Sequence, residues 1–236
     1  DYMNGNIVEQ NYKIAKECFE KAAKHNHSDA LLYLGNFYKF GKGVEKNLTK
    51  AFEYYNLSAQ LHNTKALLIV GDCYFYGNGV DKDYSKAKEY FEFLAKQNDS
   101  NALISLGELY FYGKGVEQNY LKAKEFYEKA SLQENPIAFF KLGYLYEKGL
   151  GVKQNYQTAI NFYSLSKQRG NSQAMLCLGD LYVEGNGVKQ DYEKAKKLYE
   201  LAAQQNDSNA FLKLGNLYKN GFGVKLNHEK AIDYLM

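Results

Sequence analysis

The chain has 236 residues, of which 45% are hydrophobic, with 23 tyrosines, 14 phenylalanines and no tryptophan; that is enough apolar material for a continuous core. Its 30 basic and 27 acidic residues are interspersed and leave a formal charge of +3, which gives no reason to propose a nucleic-acid partner. No apolar run approaches the ~20 residues of a membrane-spanning helix.

The first tract, residues 1–26, reads as a partial repeat. Tyr2 is in register with Tyr38, which places the start of the chain inside a first helix. Repeats then begin near residues 27, 63, 99, 135 and 171, and a partial last one covers 207–236. Met236 is in register with Asn56, so the chain is expected to end inside a second helix and to be a segment of a longer protein. The step is 36 residues without insertion or deletion, carried by Gly41, Gly77, Gly113, Gly149, Gly185 and Gly221. Gly35, Gly71, Gly107, Gly143, Gly179 and Gly215 form a second ladder, and Ala51, Ala87, Ala123, Ala159, Ala195 and Ala231 a third. A fixed period of this length is the mark of a solenoid.

Within one repeat, residues 99–134, Ala102, Leu103, Leu106, Leu109 and Tyr110 have helical spacing. Asp99 is placed to cap this helix, as are Asn63, Asn135, Asn171 and Asp207 in their repeats. Pro136 falls at the first helical position, where proline is tolerated. Gly107 lies inside the helix, where glycine costs about 1 kcal/mol against alanine; close approach of a neighbouring helix is the simplest reason for it. Gly113 ends the helix and Gly115 turns the chain back. Asn119 caps a second helix that buries Ala123, Phe126, Tyr127 and Ala130; its equivalents are Asn47, Asp83, Asn155, Asp191 and Asn227. Such a helix–turn–helix unit cannot bury its own apolar face, so neighbours must stack. The Gly-x-Gly stretches, such as Gly77-Asn78-Gly79, look like phosphate loops, but the Walker ending is absent and no strand precedes them.

The pattern A-x-x-x-LG-x-x-Y-x-x-G-x-GV-x-x-[ND]-x-x-KA-x-x-[FY][FY]-x-x-A resembles the Sel1-like repeat family, which is related to the tetratricopeptide repeats, and it covers essentially the whole chain. The resemblance implies an all-α, right-handed superhelical solenoid. It also implies a non-enzymatic scaffold or adaptor for protein–protein interaction, with the partner peptide or protein held in the concave groove lined by the first helices. Two alternatives stand beside it. One is a regulatory repeat domain whose catalytic part lies elsewhere. The other is a hydrolase, because a few secreted relatives are linked to β-lactam binding.

Cys18, Cys73 and Cys177 occupy three different repeat positions and lack the one-disulfide-per-repeat ladder of some secreted relatives. Cys18 and Cys73 replace aromatic or leucine positions and read as small core hydrophobes. His25, His27, His62 and His228 fall in or near turns and read as solvated; no metal motif, no catalytic residue and no cofactor is assigned. Sequons stand at Asn26, Asn47, Asn56, Asn98 and Asn206, and the compartment is left open.

Comparing the copies separates fold from function. The positions of Ala30, Leu34, Gly35 and Tyr38 scarcely change, whereas those of Asp29, Tyr33, Asn36 and Phe40 change freely and share one helix face. The candidate partner-binding residues on that face are Tyr33, Asn36 and Phe40 in the first full repeat and Ile69, Asp72, Phe75 and Tyr76 in the next. Glu108, Phe111 and Tyr112 follow, then Tyr144 and Glu147, then Asp180. Surface aromatics are typical partner anchors, and the acids add a preference for Lys or Arg. End-to-end association through unpaired terminal helices is a further expectation.

Overall fold

The computed structural model describes residues 11–235, apart from the side chain of Leu235; the expectations for Tyr2 and Met236 lie outside the described residues. The chain divides into two compact units, residues 1–118 and 119–236. The first holds α1 (Tyr12–Ala23), α2 (Ser28–Phe40), α3 (Leu48–Gln60), α4 (Thr64–Tyr76), α5 (Tyr84–Ala95) and α6 (Ser100–Tyr112). The second holds α7 (Tyr120–Ser131), α8 (Pro136–Lys148), α9 (Tyr156–Gln168), α10 (Ser172–Glu184), α11 (Tyr192–Ala203), α12 (Ser208–Asn220) and α13 (His228–Leu235). Each unit is a run of helix–turn–helix repeats in which every helix packs on the next in sequence. The fold is an all-α solenoid.

The caps set the helix boundaries. The side chains of Asn63, Asp99 and Asn171 accept the backbone N–H three residues on, and Asn135 accepts that of Ile137 at 2.9 Å. Asn47, Asp83, Asn119, Asn155, Asp191 and Asn227 do the same for the second helices. Each such cap is worth about 1 kcal/mol. His27 takes the equivalent position in front of α2, where its Nδ1 accepts from Ala30 N–H at 3.4 Å. It is therefore a capping residue as well as the exposed turn histidine expected from the sequence. First helices end on a left-handed glycine, as at Gly77 with φ of 77°.

The glycine inside each first helix makes room for a ring. A Cβ on Gly71 would stand 2.6 Å from Phe91 Cε1, and one on Gly179 would stand 2.3 Å from Tyr199 Cε1. Tyr55 and Tyr163 press on Gly35 and Gly143 in the same way. The close neighbour is thus an aromatic side chain of the second helix in the same repeat. These rings are fully buried and anchor the core. In the second unit Tyr163 packs with Ala174, Leu178 and Leu181, and Tyr199 with Ala210, Leu214 and Leu217. Two buried hydroxyls are satisfied by the first turn of the first helix: Ser58 donates to the Ser28 carbonyl at 2.8 Å and Ser166 to that of Pro136 at 2.7 Å.

Candidate functional site

The ring that fills the glycine notch does more than pack. Its tip passes the first helix and reaches the variable face. Tyr55 donates its hydroxyl to Asn36 Oδ1 at 2.9 Å, and Tyr199 donates to Asp180 Oδ1 at 2.7 Å. In both cases the acceptor is the residue directly after the glycine. Tyr163 finds a tyrosine, Tyr144, at that place, and donates instead to Glu147 Oε2 one turn further on, at 2.6 Å. The hydroxyls of Tyr55, Tyr163 and Tyr199 are all pushed to higher pKa, first of all by burial.

Asp72 departs from this arrangement. It follows Gly71 as Asn36 follows Gly35, but the ring beneath it is Phe91, which has no hydroxyl to donate. Asp72 is half-buried, and burial pushes its carboxyl up to about 6; Lys39 opposes this shift and Glu108 adds to it. It lines a cavity of about 300 Å³ together with Lys39, Phe40, Tyr55, Ile69 and Cys73. Burial also pushes the Cys73 thiol up to about 11, the opposite of what a nucleophile needs.

The aromatics of the first unit fall into two classes. Phe40, Tyr76 and Tyr112 each end a first helix and are 59%, 54% and 52% exposed. Tyr33 is also exposed, and stacks on Phe19 with ring centres 4.8 Å apart. Phe75 is only 4% exposed. It stands one turn after Gly71 and leans toward the second helix, where its ring meets those of Tyr84 and Phe91, and the Lys114 ammonium sits 4.4 Å from its centre. Phe75 is therefore a core residue, and its place among the partner-binding residues is corrected. Phe111, Ile69 and Glu108 are half-buried.

In the second unit, Tyr144 is half-buried with the Lys148 ammonium 6.0 Å from its ring centre. Glu147 is held by Tyr163 and by an ion pair with Lys148. Asp180 is taken up twice more by Lys213, whose ammonium lies 2.7 and 2.8 Å from its two oxygens. The expectation that Asp180 offers open acid to a partner is corrected: the next repeat already supplies its cation. Sequence reasoning passed over Tyr55 and Phe91, and it placed Lys213 on the variable face without pairing it with Asp180. The signals available were the tyrosine 19 residues after Asn36 and Asp180, and the lysine 33 residues after Asp180.

Cys18 is exposed on α1, not a core hydrophobe, whereas Cys73 is buried and Cys177 half-buried. Burial pushes the Cys177 thiol up to about 12. Two Ser-x-x-Lys spacings, Ser85/Lys88 and Ser164/Lys167, bear on the hydrolase alternative. Lys88 is bound to Glu92 at 3.1 Å, and this hydrogen bond raises its pKa, which keeps it protonated and unfit as a base. Ser164 and Lys167 flank Ser166, whose hydroxyl is committed to Pro136. Among the described residues no group of three or more His, Cys, Asp or Glu could hold a metal ion, and no helix is long and apolar enough to cross a membrane.

Solved structures similar to this chain include two above 30% identity. A Sel1 repeat protein from Oxalobacter formigenes is 31% identical with a TM-score of 0.86, over 99% of this chain and 97% of that one. A protective antigen of uropathogenic Escherichia coli with an SLR fold is 32% identical with a TM-score of 0.78; this chain is covered to 99% and spans only 50% of the antigen's length. The immunity protein Pa5087 of Pseudomonas aeruginosa, 24% identical with a TM-score of 0.59 over 86% of this chain and 77% of its own, shares the fold. No curated protein matches the sequence. The Sel1 repeat model matches residues 2–27, 28–63, 64–99, 100–135, 136–171, 172–207 and 210–235. Nearly every residue thus falls within a matched repeat, and the chain belongs to the Sel1 repeat family, whose α-solenoids typically act as protein-interaction scaffolds.

Proposed function

We propose that the first unit carries the partner-binding surface of this scaffold, on the face of α2, α4 and α6 marked by Phe40, Tyr76 and Tyr112. One observation carries the reading. These three residues occupy a single repeat position and are all aromatic and exposed, while the same position holds Lys148, Glu184 and Asn220 in the second unit. The fold accepts a charged or polar residue there, so packing alone does not call for an aromatic. Exposed rings beside half-buried Ile69 and Phe111 suit a partner segment with apolar anchors. The carboxylate of Asp72 favours a segment that also carries Lys or Arg. Such a segment is an extended or helical peptide of a protein partner.

The test is affinity capture from the native host's lysate with three folded baits: wild type, the Phe40→Ala/Tyr76→Ala/Tyr112→Ala variant, and a Leu57→Ala/Phe93→Ala control on the exposed side of the second helices. A partner retained by wild type and control but lost with the triple variant supports the reading. A partner lost only with the control moves the surface to the second helices.

A further inference from the structure

The same repeat position carries an aspartate twice, Asp72 in the first unit and Asp180 in the second, and the surroundings differ. Asp180 has its hydroxyl donor in Tyr199 and its cation in Lys213, which comes from the following first helix, 33 residues on. Asp72 has phenylalanine where Tyr199 stands and Ser105 where Lys213 stands. Among the described residues no hydrogen bond or ion pair satisfies its carboxylate, although it is half-buried at the wall of a cavity of about 300 Å³. A half-buried carboxylate without a donor from the chain is less well solvated as an anion than an exposed one and favours a cation that fits beside it.

We infer that the Asp72 cavity is a socket for a lysine side chain of the partner segment, its ammonium bound by the Asp72 carboxylate and its methylene stem lying along Phe40 and Ile69. The inference rests on the partner-binding reading of the first unit and names the residue that reading leaves open. The Asp180–Lys213 pair of the second unit is its internal counterpart: the same carboxylate position, already filled by a lysine of the chain itself. The walls suit the stem, since Phe40, Ile69 and the Tyr55 ring are apolar along their length. Lys39 and Lys46 line the cavity but neither pairs with Asp72; the Lys39 ammonium lies 5.3 Å over the Phe40 ring. They bring positive charge to the cavity lining, so a guest ammonium is held by Asp72 against their repulsion. The other titratable groups about Asp72 are Glu108 on α6, Cys73 and Tyr76 on its own helix, and Tyr55 in the cavity wall. Burial pushes the carboxyl up to about 6, and a cation seated beside it would bring it down.

The probe is a synthetic peptide library with a fixed central lysine between degenerate apolar positions, set against a matched library carrying acetyl-lysine. Wild type retains the lysine library about tenfold better than the acetyl-lysine library. The ratio falls to about one in Asp72→Asn, which loses the charge, and in Ser105→Lys, which supplies an internal plug in the manner of Lys213. Lys39→Gln, which removes a competing charge, raises retention of the lysine library. Circular dichroism confirms that each variant is folded. Equal retention of both libraries by wild type, or an unchanged ratio in folded Ser105→Lys, overturns the socket. The Phe40→Ala/Tyr76→Ala/Tyr112→Ala variant separates the two levels: loss of both libraries with Asp72→Asn unaffected leaves the surface standing and removes the socket, while retention of both removes the surface as well.

Discussion

Asp72 in the first unit and Asp180 in the second hold the same place in the repeat, directly after the glycine that admits a buried ring. In the second unit that ring is Tyr199, and Lys213 closes the carboxylate from outside. In the first unit the ring is Phe91, and among the described residues no hydrogen bond or ion pair closes Asp72. Three residues after Asp72 and Asp180 come Phe75 and Val183, and the next position holds exposed Tyr76 in one case and exposed Glu184 in the other. The scaffold thus keeps a buried ring against the glycine in both units, while the ring tip and the outer face differ. What the difference teaches is where to look in a repeat protein: a residue free to vary, yet aromatic or unpaired in one stretch only, answers to something other than the fold.

The sharpest way to break the comparison is to exchange a core aromatic for a surface one. Phe75→Ala is expected to lose about 3–5 kcal/mol, since its ring is buried against those of Tyr84 and Phe91. Tyr76→Ala, its exposed neighbour, should change stability by about 0.5 kcal/mol or less. Urea unfolding of the two variants decides it, and equal losses would place Tyr76 in the core with Phe75.

A smaller effect tests the ring tips. Tyr199→Phe removes the hydroxyl given to Asp180 and should lose about 1 kcal/mol. The reciprocal change, Phe91→Tyr, offers Asp72 the donor it lacks and should gain a similar amount, about 1 kcal/mol. Thermal melts of both variants test the pair, and a loss in each would mean that the notch beside Asp72 has no room for the hydroxyl.

The smallest effect is the pH dependence that Asp72 confers. Its carboxyl stands at about 6 in the folded chain against an ordinary 3.8. The folded state therefore binds more proton than the unfolded chain between those two values, and stability falls as pH rises through them. The contribution of Asp72 is full below the lower value and lost above the higher one. Asp72→Asn should flatten this part of the profile and gain about 1 kcal/mol at neutral pH, a figure reduced for the solvent that still reaches the group. Urea unfolding across that range measures it, and a profile unchanged by the substitution would show that Asp72 titrates as an exposed acid.

Much of the architecture was legible in the sequence because it rests on local chemistry that repeats. Caps such as Asn119 and Asp191, the left-handed glycines and the alanine ladder each announce a helix end or a helix contact within a few residues. His27 escaped because a histidine side chain accepts a backbone hydrogen bond too seldom to be read as a cap, and only its register with Asn63 pointed to it. The candidate surface was legible in part. The variable face was found from period and spacing, but Phe75 and Tyr76 are adjacent aromatics, and nothing in their identity says which one turns inward. That choice is made by Phe91 and Tyr84, which come from the second helix. The pairing of Asp180 with Lys213 was hidden for the same reason: it joins residues one repeat apart, and a comparison of aligned columns never sets them side by side.

The central claim is that Asp72 is an open carboxylate where Asp180 is a filled one. Carboxyl-carbon NMR titration of Asp72, in wild type and in Ser105→Lys, tests it most directly. The account predicts a value of about 6 in wild type and a marked downward displacement once a lysine stands at position 105. A wild-type value in the ordinary carboxylate range, unmoved by Ser105→Lys, would show that Asp72 already has its partner and would contradict the account.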